Sequence, residues 1–345
     1  MNRFEWVNAR SAREAVGQAT TTVADAMLTP PGRALPVDAA VMKAGGIDML
    51  DLMKENLLTP RRVVHLGALP GLDRIEADRA GLRLGSLTTL ATIAGHPLLK
   101  GPYRAIADAA GHTATPPIRN TATLGGNLLQ RPRCWYFRQE AFHCLKKGGA
   151  ACFAMDGENQ YHAIFGNSTC AMVHPSTLAT ALVALGARLE LTDARGATRE
   201  VALEQFLVTP EEDVRRENRL KPGELLTAVR IPPRPPTSGS AHIKQGEKES
   251  FDWAIGEAAA AIERDGAGRC VRASLVLGAV APVPWRARAA EQALIGYAIT
   301  EASAQAAARL ALAGARPLSK NPYKVPVMEA LVARTILAAA GTERS

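Results

Sequence analysis

The stretch Thr121-Ala-Thr-Leu-Gly-Gly-Asn-Leu-Leu-Gln130 runs without a break into Arg131-Pro-Arg-Cys-Trp-Tyr-Phe137. Adjacent glycines have no Cβ atoms, so the backbone at Gly125 and Gly126 can lie against a ligand more closely than other residues allow. Thr123 and Asn127 flank the pair with side chains able to hydrogen-bond. Seven residues after Asn127 comes Cys134, the first of a group completed by Cys144, Cys152 and Cys170. Any fold for this chain must set a close-approach segment beside a cysteine-rich one. That pairing points to a cofactor next to a metal cluster.

A second glycine pair lies in Lys43-Ala-Gly-Gly-Ile-Asp48. It falls between a strand expected over 35–42 and a short helix expected over 49–54. Backbone N–H groups at Ala44, Gly45, Gly46, Ile47 and Asp48 can form an anion-binding nest, aided by the positive helix end. One Gly-Gly is as readily a tight turn. Two, each among polar residues, favour a dinucleotide. Neither is a G-x-G-x-x-G or Walker sequence, so the nucleotide belongs to some other fold.

The cysteine spacing is C-x9-C-x7-C-x17-C. It lacks the C-x2-C pairs of zinc ribbons and bacterial ferredoxins. Four thiolates can still hold an iron–sulfur cluster or zinc from any spacing that converges in space. Buried inert cysteines are the plain alternative. The polar, irregular character of the window opposes it, as do Lys146 and Lys147 beside Cys144, which would stabilise thiolate. Cys270 stands apart in an apolar run and reads as a core cysteine. His143, next to Cys144, is a possible substitute ligand.

At 345 residues the chain has room for two or three domains. Its net charge of +8 fits a basic surface or an anionic ligand. No run interleaves basic and aromatic residues, which argues against nucleic acid. The N-terminus shows no apolar signal region, and no apolar run reaches the ~18 residues of a membrane span. The seven histidines are scattered. No nucleophile–base or paired-carboxylate pattern stands out, so no catalytic residue is expected.

Along the chain, Ser11 should cap a helix reaching about Met27. A short strand is expected at 62–66, a hairpin around the turn 78–81, and helices at 88–94 and 103–110. Residues 131–170 read as irregular. Ser176 should cap a helix ending at Gly186, followed by a hairpin at 188–201 and a strand at 225–231. The Pro-rich stretch 233–240 reads as a linker. Beyond it come paired strands at 254–263 and 271–279, then helices near 288–295, 301–313 and 327–339.

Taken together, these residues resemble the FAD-binding, medium subunit of the molybdenum hydroxylases. That family includes xanthine dehydrogenase, carbon monoxide dehydrogenase, aldehyde oxidoreductase and 4-hydroxybenzoyl-CoA reductase. Lys43 to Lys54 is similar to its first FAD segment and Ile118 to Asn127 to its second. Cys170 to Thr177 resembles the stretch before the helix closing the FAD domain. Leu277 to Arg286 and Asn321-Pro-Tyr-Lys324 resemble its C-terminal domain. The cysteine insertion resembles members with an extra [4Fe-4S] cluster, and Gln130 to Phe137 looks like the aldehyde oxidoreductase type.

The resemblance implies an α+β fold. Residues 1–57 and 58–232 would form two subdomains of an FAD-binding domain of the vanillyl-alcohol-oxidase (PCMH) type, with the Fe–S insertion near 131–170. Residues 241–345 would form the C-terminal α+β domain of a CO dehydrogenase flavoprotein. FAD would contact Lys43 and the backbone from Ala44 to Met49, then Thr123, Gly125, Gly126 and Asn127. Ala114, Leu226 and Lys244 would approach the flavin. Cys134, Cys144, Cys152 and Cys170 would hold the cluster. Ile47 stands where related segments usually carry Thr, and Thr177 where they often carry Asp.

The implied function is electron transfer. Electrons would come from a molybdenum cofactor in a large partner, through two [2Fe-2S] clusters in a small partner, to FAD and an external acceptor. Aldehyde oxidation is favoured over the xanthine and 4-hydroxybenzoyl-CoA chemistries. A heterotrimer or its dimer is expected, cytoplasmic, or periplasmic if a partner carries the export signal. A zinc-stabilised scaffold and a self-contained flavin oxidase are the rival readings.

Overall fold

The computed structural model describes residues 2–27, 39–248 and 250–342. Three sheets organise them. The first joins β1 (Glu5–Asn8), β2 (Ala40–Lys43) and β3 (Arg62–His65), all parallel, in the order β1-β3-β2. The helix Ile47–Lys54 buries Met49, Leu52 and Met53, which pack with Val41 and Val63 of β2 and β3. Of the strand expected at 35–42, residues 35–38 lie outside the described residues. The helix expected from Ser11 to Met27 is two helices, Ala12–Gln18 and Val23–Ala26. Each is capped by a side chain, Ser11 and Thr22 respectively.

The second sheet contains β4 (Ile75–Asp78), β5 (Gly81–Gly85), β6 (Arg188–Asp193), β7 (Thr198–Ala202) and β8 (Glu224–Ile231). Its order is β4-β5-β8-β6-β7, antiparallel throughout. The third is an antiparallel sheet of β9 (Ser238–Gln245), β10 (Gly256–Arg264), β11 (Cys270–Gly278) and β12 (Trp285–Arg286). The helices Arg288–Leu294, Glu301–Leu312 and Lys324–Ala340 pack with it around one core. Both expected hairpins are present, and the mixed α+β class holds.

The Pro-rich stretch is shorter than expected, because β9 already begins at Ser238. Its opening Ser-Gly-Ser has turn composition, and tertiary contacts make it a strand. The Ser240 hydroxyl accepts from the Ala105 N–H at 3.0 Å. A Cβ on Gly239 would sit 2.1 Å from the Ala339 carbonyl, so the last helix lies directly on this strand.

The helix Thr177–Ala184 binds the halves together. All eight of its residues are buried, as an all-round apolar helix requires. It packs on the helix Arg104–Gly111 and on β10 and β11. Residues 131–170 contain only one turn of α-helix, Trp135–Arg138, and a short 3-10 turn, Leu145–Lys147. The C-terminal helices secure their far end. Lys324 is fully buried and donates to the carbonyls of Tyr161, His162 and Ala279. Asn321 donates to those of Asn159 and His162.

His174 sits at the junction of this region with the third sheet, its N–H bonded to the Ala281 carbonyl. Burial depresses its imidazole pKa to about 4, against the opposing pull of Glu217 and Glu257. The unfolded chain, titrating near 6.5, binds the proton more tightly between these values. Stability is therefore complete above pH 6.5 and falls as the pH is lowered toward 4, by about 3 kcal/mol in all. Urea melts across that window should show this slope, and His174→Asn should flatten it.

Candidate functional site

The main cleft has a volume of about 250 Å³. Lys43 through Met49 line it from the first glycine segment. Thr123, Gly125, Gly126 and Asn127 line it from the second, with Ala114 and the β8 residue Leu226. Of the candidate cleft residues, Lys244 alone is not in the lining. Its ammonium donates to the main-chain carbonyls of His112 and Asp252. Burial lowers its pKa.

Gly46 caps the helix Ile47–Lys54 in the left-handed region, at φ 84°. The first N–H groups of a helix have no partner within it, so this helix presents them as anion donors. The second glycine segment is not a loop. It forms the short helix Leu124–Leu128, and the Thr123 hydroxyl accepts from the Gly126 N–H at 3.2 Å. That cap uses one lone pair of the Thr123 hydroxyl and leaves its O–H free to donate into the cleft that Thr123 lines. Asn127 accepts from the Ser176 hydroxyl at 2.6 Å.

Two of the glycines serve approach between protein segments. A Cβ on Gly45 would lie 2.1 Å from the Thr121 carbonyl oxygen. One on Gly125 would lie 3.1 Å from the Ser86 Cβ and carbonyl. Ala114 adopts φ 50°, which is costly for a residue with a Cβ. The Arg119 guanidinium secures it by donating to the Ala114 carbonyl at 2.6 Å.

Cys134, Cys144, Cys152 and Cys170 line one further cavity of about 10 Å³, roughly the room for one water. A hydrogen bond from Cys170 holds the Cys152 thiol down to about 6 and pushes Cys170 up, so the pair loses one proton readily and Cys170 donates the other to the Cys152 sulfur. Burial pushes Cys134 up to about 11. The thiols converge on this space, yet no group of three or more His, Cys, Asp or Glu with metal-holding geometry occurs among the described residues. Cys270 lies in the C-terminal core, away from the other four. His143 is exposed. The histidine at the group is instead His162, with Nε2 3.3 Å from Cys134 Sγ.

A buried charge cluster adjoins the thiols. Lys146, which also lines their cavity, lies 2.7 Å from Glu217. Arg131 lies 2.9 Å from the other oxygen of the same carboxylate, within ion-pair distance but without hydrogen-bond alignment at Nε. All three side chains are 2% exposed. Two cations against one anion leave one positive charge at the cavity where Cys152 readily becomes a thiolate.

The segment 130–134 forms the wall between the sites. Gln130, Arg131 and Arg133 line the cleft, whereas Pro132 and Cys134 line the cysteine cavity. Trp253, half exposed at the cleft, lies under the Arg133 guanidinium at 4.9 Å. Sequence reasoning missed Arg133, Glu217, His162 and Trp253 as site residues. The Arg-Pro-Arg immediately before Cys134 was the available signal for the arginines. Glu217 offered none, since only the fold brings it to Arg131.

Residues 2–234 match the family described as the FAD binding domain in molybdopterin dehydrogenase. Residues 241–339 match the CO dehydrogenase flavoprotein C-terminal domain. The chain is 37% identical over 294 residues to the aldehyde oxidoreductase FAD-binding subunit PaoB of Escherichia coli, covering 84% of this chain and 88% of that one. It is 30% identical over 276 residues to the carbon monoxide dehydrogenase medium chain of Afipia carboxidovorans, covering 80% and 79%. A chain of the reconstituted CO dehydrogenase from Oligotropha carboxidovorans superposes with a TM-score of 0.72 at 25% identity, covering 99% of each.

Two substitutions test this geometry. Gly45→Ala forces the backbones of residues 45 and 121 apart and should cost about 2 kcal/mol or more. Glu217→Gln leaves two buried cations without a carboxylate and should cost about 3 kcal/mol. Urea denaturation of each variant beside the parent checks both values.

Proposed function

The chain belongs to the FAD-binding subunits of the molybdopterin dehydrogenase family, and from that premise we propose that it is the electron-transfer flavoprotein subunit of an aldehyde-oxidising molybdenum hydroxylase. The observation that carries this reading is the cleft walled by both glycine segments. Its nest at Gly46 and the helix end behind it suit the pyrophosphate of FAD. The backbone from Ala44 to Met49 would hold that pyrophosphate. Gly126 and Asn127 would line the second contact, and Ala114 and Leu226 would lie toward the ring. When bound, FAD supplies reversible uptake of an electron pair. The chain's part is to orient it and set its environment.

Lys244 takes a supporting place in this scheme. Its ammonium ties Asp252, and with it Trp253 at the cleft, to His112. The thiols of Cys134, Cys144, Cys152 and Cys170 would hold a [4Fe-4S] cluster. The fit lies in the donor chemistry. Four soft sulfur ligands share one cavity, and the excess buried cation of Arg131, Lys146 and Glu217 complements an anionic cluster. Substrate oxidation would belong to a large molybdenum-cofactor subunit, linked to this chain through a small subunit with two [2Fe-2S] clusters. The likeness to PaoB favours an aldehyde as substrate.

An anaerobic absorbance spectrum of the purified protein, with flavin, iron and sulfide quantified, tests the proposal. About one FAD and about four irons per chain are expected, and Cys144→Ser should lose the iron. FAD without iron would remove the cluster. Zinc without flavin would overturn the whole reading.

A further inference from the structure

The carboxylate of Asp48 faces the cysteine segment more than it faces a ligand. Its Oδ2 accepts from the Arg131 main-chain N–H at 2.8 Å. Its Oδ1 pairs with Arg133 at 2.7 Å and with Arg138 at 2.6 Å. Asp51, one turn on in the same helix, takes a second arm of Arg138 at 2.9 Å. Arg138 also donates to the carbonyls of Pro132 and Arg131, closing a loop around Cys134. Asp48, Arg133 and Arg138 are each less than a fifth exposed, so these are not surface pairs that solvent would cancel.

Asp48 is the second residue of the helix Ile47–Lys54, whose first residues line the cleft. The arginines therefore do two things. They fix the first turn of that helix against residues 131–138. They also neutralise a carboxylate that would otherwise repel an anion at the N–H groups of that turn. Arg133 carries the contact on to Trp253 of the C-terminal unit.

We infer that Asp48, with Arg133 and Arg138, is a positioning residue that makes occupancy of the cysteine cavity and of the flavin cleft mutually dependent. The inference rests on the proposed flavin and iron–sulfur reading and deepens it. Ligation of Cys134 immobilises residues 131–138, and so sets where their cations meet Asp48. The helix end then presents its N–H groups in one arrangement. By thermodynamic linkage, bound FAD favours metal retention by the same factor.

A double-mutant cycle on the full chain tests this, with the FAD Kd read by flavin fluorescence and iron quantified. Cys144→Ser alone should weaken FAD roughly tenfold. In the Asp48→Asn background the same change should leave the Kd unaltered. Arg138→Gln cuts the link from the other side and should also abolish the dependence. A misfolded Asp48→Asn protein, seen in its circular dichroism and melting, therefore leaves the Arg138→Gln cycle to decide. Asp48→Glu should restore part of the coupling. Equal weakening in every background overturns the inference and leaves the flavin reading standing, as does a Cys144→Ser protein with unchanged FAD affinity. A parent protein that binds no FAD overturns both.

Discussion

The close approach of Gly45 to the Thr121 carbonyl is the contact on which the cleft depends. One segment follows β2 of the first sheet, and the other leads into the short helix beside the second. With a Cβ between them, the two would part and the cleft would lose its floor. Gly46 then turns the chain into the helix Ile47–Lys54, and Gly125 lets the second segment settle on Ser86. Three glycines thus assemble a site before any ligand is considered. The same absence of side-chain atoms that admits a ligand first admits the neighbouring backbone.

Electrostatics makes the second site distinctive. A buried ion pair roughly breaks even against desolvation, and an unbalanced one is a net cost. The Arg131–Glu217–Lys146 cluster keeps its second cation beside four cysteines, of which Cys152 readily ionises. Under the proposed reading, an anionic cluster offsets that cost. The wall at residues 130–134 serves both sites at once, with Gln130, Arg131 and Arg133 on the cleft and Pro132 and Cys134 on the cysteine cavity.

Much of the fold was legible because local chemistry and tertiary structure agree. The caps at Ser11 and Ser176, the two hairpins and the glycine pairs all appear as their residue types dictate. The exceptions have specific causes. Strand β9 reads as linker because Ser and Gly favour turns, yet the helix lying on Gly239 leaves the strand as the available path. Thr123 lines the cleft as its sequence position suggests, and its hydroxyl also caps the helix it opens. Sequence adjacency nominated His143, whereas the irregular stretch after Cys152 folds back to deliver His162 to Cys134. Lys244 lies outside the cleft lining and donates to the His112 and Asp252 carbonyls. For β9 and for His162, a partner distant in sequence outcompetes the local expectation.

The buried helix Thr177–Ala184 bears on modularity. The Pro-rich stretch before β9 looks like a seam along which the chain could be cut into independent parts. This helix belongs to the N-terminal side of that seam, yet β10 and β11 beyond it cover one of its faces. A fragment ending at the seam would carry an uncovered apolar helix in its centre, prone to self-association. The two halves therefore meet through a buried helix that each helps to cover. Recombination between relatives at this point would have to exchange matched surfaces on both sides to yield a folded chimaera.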